Sequence, residues 1–228
     1  IWQQPHPIMF AELCYRANPT KETLLKYSEI VFESAEFMAS YAVYDKENDR
    51  FVLGPPLAAA QESLAAGDGK SKTMNPTFEL AYWRYGLEVA QEWRKRLGLP
   101  ANPKWEEVRS KLPPLPVVNG LYTAAESCPD TFPNFMHDHP TMLGAFGILN
   151  DKYTDKEIML NTLKKVLSDW EFEKKSWGWD FPMVAMTAAR LGEPSIAVDA
   201  LLMDISSNVY LKNGHNTNLK RPDLPLYL

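Results

Sequence analysis

The 228-residue sequence predicts an all-α protein. Three observations carry that expectation. Apolar residues recur at helical spacing over most of the chain, helix start and stop residues bracket those runs, and no run of alternating apolar and polar residues reads as a strand pair.

The elements follow in order. A short helix is expected over 6–17. Over 21–43 the set Leu24, Leu25, Val31, Phe32, Ala35, Met38, Ala39 and Ala42 keeps the i, i+3/i+4, i+7 rule. Phe78, Ala81, Tyr82, Tyr85, Val89 and Trp93 repeat it over 76–97, with Gly98 as a stop. Shorter helices are expected over 104–112 and 139–147. Residues 154–170 open with Thr154-Asp155-Lys156-Glu157, which reads as a capping box, and carry Met159, Leu163, Val166, Leu167 and Trp170. Pro182 suits the first turn of a helix bearing Phe181, Val184, Ala185, Ala188 and Ala189 and ending at Gly192. Pro194 opens the last one, with Ala197, Val198, Leu201, Leu202 and Ile205.

The connections alternate in character. Those at 17–20 and 192–194 are tight, whereas 44–75 and 113–138 are long, rich in Pro, Gly, Ser and Asp, and still carry aromatics and histidines. Loops beyond about 12–15 residues tend to be functional. No low-complexity linker or charge block divides the chain, so 1–228 reads as a single domain. Short turns at one end of helical hairpins and long loops at the other point to an (α/α)6 toroid with its site on the long-loop face. A four-helix bundle and a helical solenoid are the alternatives, although no repeat of fixed period is visible.

Composition narrows the function classes. A net charge of −5 and a pI near 5.5 argue against a nucleic-acid partner, which needs a basic face. The apolar runs fall short of the roughly 20 residues that span a bilayer. Cys14 and Cys128, far apart and without metal-ligand spacing, can form one disulfide or remain buried thiols. The sequence opens abruptly at IWQQPHPIMF, without Met or a legible leader, which reads as a fragment and leaves the compartment open. Seven Trp, ten Tyr and ten Phe beside only 11 Gly supply many flat rings, for a large helical core or for stacking on a ligand.

Four stretches concentrate chemistry-bearing residues: Trp2, His6 and Glu12; Glu62 with the following Lys72-Thr73-Met74-Asn75; His137-Asp138-His139; and Trp177-Gly178-Trp179-Asp180. Each has a plain reading as well. Glu62 can be a solvated acid, and Asp180 the N-cap of the Pro182 helix. The tryptophans can be core. His137-x-His139 has metal-ligand spacing without a third ligand at a helical offset, so neither metal nor cofactor is expected.

Other catalytic templates are missing: no Gly-x-Ser-x-Gly elbow, phosphate loop, dinucleotide fingerprint or Cys/His dyad. Excess aromatics and isolated loop carboxylates fit glycosidic-bond chemistry. One carboxylic acid protonates the leaving oxygen and a second carboxylate activates water or attacks. The apolar loop GPPLAAA before Glu62 is expected to disfavour its ionised form and keep it protonated.

The order of these motifs resembles the helical catalytic domain of glycoside hydrolase family 95, and more distantly the family 65 phosphorylases. HPIMFAELCYRANPTKETLLKYSEIVFESAEFMASYAV resembles the family's helix pair. FVLGPPLAAAQES stands at its Ser-Pro-Glu-Asn loop, putting Glu62 on the general acid, and TMNPTFELAYWRYGLEVA resembles the helix that follows. HDHPTMLGAFGIL takes the place of a His-Arg-His-Leu-Ser-His segment, aligning His137 and His139 with its first two histidines. WGWDFPMVAMTAARLGEPSIAVDALL resembles a Gly-Trp-Ser helix. The sequence departs at Asp138, Met142 and Asp180, which stand for Arg, His and Ser.

The resemblance places the family's base-bearing Asp-Gly-Asn segment after Leu228 and its supporting asparagines before Ile1, with Asp180 as an in-chain substitute. A closed toroid of six hairpins needs about twelve helices, and this length supplies roughly seven to nine, so a segment of a toroid is expected. The resemblance thus implies an inverting glycosidase with a carbohydrate substrate. Glu62 is the acid, Asp180 the second carboxylate, and Trp2, His6, Asn75, His137, Asp138, His139, Trp177 and Trp179 form the sugar-binding wall. It also favours a periplasmic or secreted location. A phosphorylase on the same scaffold and a non-catalytic carbohydrate-binding or helical interaction module are the alternatives.

Overall fold

A computed structural model describes residues 3–65 and 72–219. Helix takes 54% of it, against a few short strands, so the architecture is all-α. Seven helices of eight residues or more form the frame: α1 (His6–Ala17), α2 (Lys21–Tyr41), α3 (Thr77–Arg96), α4 (Pro103–Ser110), α7 (Lys156–Asp169), α9 (Asp180–Leu191) and α10 (Pro194–Leu201). Three four-residue helices sit within the connections: α5 (Thr131–Asn134), α6 (Gly144–Gly147) and α8 (Phe172–Lys175).

The long helices begin and end for local reasons. Thr20 caps α2 by accepting the Thr23 N–H at 3.2 Å, and Asn102 caps α4 by accepting those of Lys104 and Trp105. α3 and α9 stop at Gly98 and Gly192, whose positive φ values of 72° and 83° close the final turn. There Leu99 donates to the Arg94 carbonyl and Glu193 to that of Ala188.

The core threads these helices together. Trp83 and Trp93 on α3 are wholly buried, and their indole N–H groups donate to the Met38 carbonyl of α2 (2.9 Å) and to Glu12 of α1 (2.7 Å). His6 meets Tyr82 while Glu12 meets Trp93 and Arg96, so α1 and α3 run in the same direction with α2 returning between them. α9 packs on α6 and α10, and Gly147 lets α6 approach closely; a Cβ there would meet Thr187 Oγ1 at 2.2 Å.

Several expectations are corrected. Strands exist, as three antiparallel hairpins: β1 (Val43–Asp45) with β2 (Arg50–Val52), β3 (Val117–Val118) with β4 (Leu121–Tyr122), and β5 (Val209–Tyr210) with β6 (Asn216–Thr217). The middle one turns on Asn119-Gly120, with φ values of 51° and 75°, the left-handed pair that a two-residue hairpin needs. Its strands are two residues each, too short for alternation to register. The cap of α7 is Asp155, which accepts the Glu157 and Ile158 N–H groups, while the Thr154 hydroxyl bonds Asp151. The expected helix over 139–147 begins only at Thr141, as a 3-10 turn that leads into α6, because Pro140 disfavours helical geometry at His139. On α10, Val198, Leu201 and Leu202 stay exposed and Ala200 is buried. Cys14 and Cys128 are both free, one exposed and one buried, so no disulfide joins them.

Among the described residues no helix is long and apolar enough to cross a membrane.

Candidate functional site

The segment from Leu53 to Ala65 is held from both sides. Leu53 exchanges hydrogen bonds with Asn75, donating to its side-chain Oδ1 (2.8 Å) and accepting its backbone N–H (2.9 Å). Seven residues on, the Ala60 N–H donates to Glu79 Oε1 at 2.6 Å. Leu57, Ala59, Ala60, Gln61 and Leu64 are buried by this arrangement. Glu62, first residue of a 3-10 turn (Glu62–Ala65), is exposed. The expected apolar enclosure of Glu62 is therefore corrected: Ala59 and Ala60 turn into the core, while Ala58 and the Glu62 carboxylate turn out.

The buried carboxylate of this region is Glu79, in the first turn of α3. It has no exposure, and its Oε2 has no partner. Burial pushes its pKa up to about 7, against the pull of the Ala60 N–H and its own. The sequence reading passed over it. Its signal is a lone acid among Phe78, Leu80, Ala81, Tyr82 and Trp83, on a helix turn that has no reason to carry charge inward.

A second set of contacts ties the 61–63 turn to the histidine segment and to α9. The Ser63 N–H donates to Asp138 Oδ2 at 2.9 Å, and Gln61 Nε2 donates to the Phe135 and His137 carbonyls. Asp138 adopts a positive φ of 65°, a conformation that aspartate tolerates better than most residues. It is pinned on both sides: its N–H donates to the Lys175 carbonyl, and its carbonyl accepts the Trp170 indole N–H.

His139 stands between two carboxylates. Nδ1 is 2.8 Å from Asp180 Oδ1, and Nε2 is 3.2 Å from Asp138 Oδ1, an ion-pair distance. The Trp179 ring lies against the imidazole at 4.1 Å between centroids, with Trp177 at 6.1 Å; both indoles are half-buried. Asp180 has no exposure, and its second oxygen accepts the Trp177 N–H at 2.8 Å. Burial raises its pKa, opposed by the bond to His139. Both oxygens are thus spent on orienting neighbours, which corrects two expectations. Asp180 offers no face to an attacking water, and it does not cap α9 but is that helix's first residue.

Four buried polar atoms on these segments have no hydrogen-bond partner: Gln61 Oε1, Ser63 Oγ, Glu79 Oε2 and Thr141 Oγ1. Unsatisfied groups are uncommon in a folded interior.

The remaining expected residues divide. His6 is half-buried, its Nδ1 2.7 Å from the Tyr82 hydroxyl, and burial lowers its pKa. Tyr82 shares a face of α3 with Glu79, at i and i+3. His137 is half-buried beside the cluster, its carbonyl tied to Gln61. Asn75 is wholly buried, with Oδ1 on Leu53 and Nδ2 on Glu126 Oε2 at 2.7 Å, so it is a loop anchor and not part of a sugar-facing wall. Trp2 lies outside the described residues. Among the described residues no three His, Cys, Asp or Glu side chains gather as a metal-binding group.

No protein-family model and no curated protein matches the chain.

Proposed function

We propose that the chain carries the acid side of a glycosidase site, built on part of an (α/α)6 toroid. The observation that carries this reading is the continuous link Ser63–Asp138–His139–Asp180, which ties the exposed Glu62 turn to the half-buried Trp177 and Trp179. An exposed carboxyl, tied through that link to half-buried indole faces, fits what a pyranose offers: apolar ring faces edged by hydroxyls. The same-sense course of α1 and α3, with the first turns of α3 and α9 meeting the linked loops, supports the toroid arrangement.

In this reading Glu62 protonates the leaving oxygen. Trp177 and Trp179 stack on sugar rings, while Asp138, His139 and Asp180, whose side-chain polar atoms are already paired, act as positioning residues for that wall and the Glu62 turn. His6 and His137 flank the wall. In an inverting enzyme a second carboxylate, roughly 6.5–9.5 Å from the acid, activates water; the burial of Asp180 assigns that role elsewhere.

The test is a screen of the intact protein against aryl glycosides, followed by Glu62→Gln on the substrate found. The reading expects kcat to fall by about 10²-fold or more. Full activity in the variant removes Glu62 from the reaction. Turnover that requires inorganic phosphate favours the phosphorylase alternative. The engaged oxygens of Asp180 favour a second reading, a non-catalytic carbohydrate-binding module, for which sugar binding without turnover is the expected result.

A further inference from the structure

The opposite side of α3 carries a charge that the sugar site does not use. Arg84 follows Glu79 by five residues, about 140° around the helix axis. It is 6% exposed, yet no carboxylate forms an ion pair with it among the described residues. Its Nη2 donates to the Pro113 carbonyl at 2.8 Å, and its Nη1 is buried without any acceptor. The acids that act on it do so from a distance: Asp151, which is bonded to the Thr154 hydroxyl, and Glu88, which is taken by Lys152. A buried guanidinium with an empty donor is costly unless something completes it.

Arg84 forms part of the wall of a cleft of about 490 Å³, together with Arg109, Ser110, Leu112, Leu115 and Tyr153. The Tyr153 ring lies 5.0 Å from the Arg84 guanidinium carbon. Arg109 is already neutralised by a two-pronged bond to Glu106, at 3.0 and 2.5 Å, and it also donates to the Tyr153 hydroxyl oxygen at 3.2 Å. That leaves the tyrosine O–H proton available as a donor beside Arg84. None of the residues lining this cleft is among those placed at the sugar site.

We propose that this cleft is a second binding site, for a small oxyanion of the carboxylate or phosphate class, held by Arg84 with the Tyr153 hydroxyl as the second donor. With Nη2 on the Pro113 carbonyl, the Nη1 N–H groups of this charged, planar donor are the ones still lacking an acceptor, and an anion oxygen suits them. Asp151 opposes the anion from within, so the affinity reflects a balance that Arg84 must win.

The experiment is thermal unfolding of the intact protein titrated with sodium phosphate and, separately, sodium acetate, with sodium chloride at matched ionic strength as control. A saturable rise in midpoint with either anion, beyond chloride, is expected. Arg84→Met keeps much of the stem's bulk and removes the charge; apparent affinity should fall at least ~10-fold. Because that variant changes a buried position, Ser110→Glu provides a second measurement from an exposed one. Its carboxylate enters the cleft, and it should abolish the response. Binding that is unaffected by Glu62→Gln separates this cleft from phosphate at the sugar site. No saturable response to either anion, or an undiminished one in Ser110→Glu, overturns the proposal.

Discussion

Asp180 Oδ1 and His139 Nδ1 lie 2.8 Å apart, 41 residues apart in sequence, with the carboxylate wholly enclosed. The bond fixes which way the imidazole points and which nitrogen is left toward Asp138. It also means that this wholly buried acid holds a neighbour and does not face a substrate.

Asp180→Asn tests that relationship. The amide can keep the Trp177 N–H on its oxygen, but it turns a neutral NH2 group toward His139 Nδ1 where a carboxylate acceptor stood, so the charge-assisted bond is lost. Stability should fall by about 1–3 kcal/mol, read from urea unfolding. An unchanged midpoint at unchanged slope would mean that the pair is not maintained in solution.

Glu79 gives a pH signature. Burial pushes its folded-state pKa up to about 7, from the 4.5 of an ordinary glutamate. The stabilising protonated form is fully present below pH 4.5, and its contribution is lost as pH rises through about 7. Wild-type stability should therefore drop by roughly 3 kcal/mol over that window from this group, at 1.36 kcal/mol per pKa unit. Glu79→Gln, which can still accept the Ala60 N–H, should lack this drop. Parallel stability–pH curves for the two proteins would contradict the assignment.

Glu12 is the structural counterpart on α1. It is 2% exposed and accepts bonds from Trp93, Arg96 and Arg16. Its pKa is lowered overall by these bonds, against a burial effect that raises it. Glu12→Ala strips a buried indole N–H and a guanidinium of their acceptor, and a loss of about 3–5 kcal/mol is expected. Denaturant unfolding that reports a loss below about 1 kcal/mol, the size of a surface ion pair, would place the network in solvent.

Trp179→Ala removes the ring lying on His139 and one expected sugar platform. A sugar that binds the site should lose roughly 0.5–1.5 kcal/mol of affinity, measured by calorimetry, with little change in unfolding midpoint because the ring is half-buried. Equal affinity in the variant would remove Trp179 from the wall.

What the sequence made legible follows from where the physical signal is local. α2, α3, α7 and α9 bury a continuous stripe such as Phe181, Val184, Ala185 and Ala188, so periodicity located them within a few residues. Caps were harder: Thr154 and Asp155 are both good capping residues, and only the chain's course selects Asp155. The Asn119-Gly120 turn was overlooked because two-residue strands leave no pattern. His137, Asp138, His139, Trp177, Trp179 and Asp180 were singled out from sequence, but the pairing of His139 with Asp180 is long-range, and no spacing rule encodes it. Glu62 and Glu79 show the limit most clearly. Apolar neighbours in sequence suggested a desolvated Glu62, yet tertiary packing turned Ala59 and Ala60 inward and desolvated Glu79 instead.

The most direct measurement compares Glu62→Gln with wild type on two substrates of the same sugar: an aryl glycoside with a poor leaving group and the glycosyl fluoride, whose departure needs little proton donation. If Glu62 is the general acid, the variant loses about 10²-fold or more on the first and retains most of its activity on the second. Equal losses on both substrates, or none on either, would contradict the account.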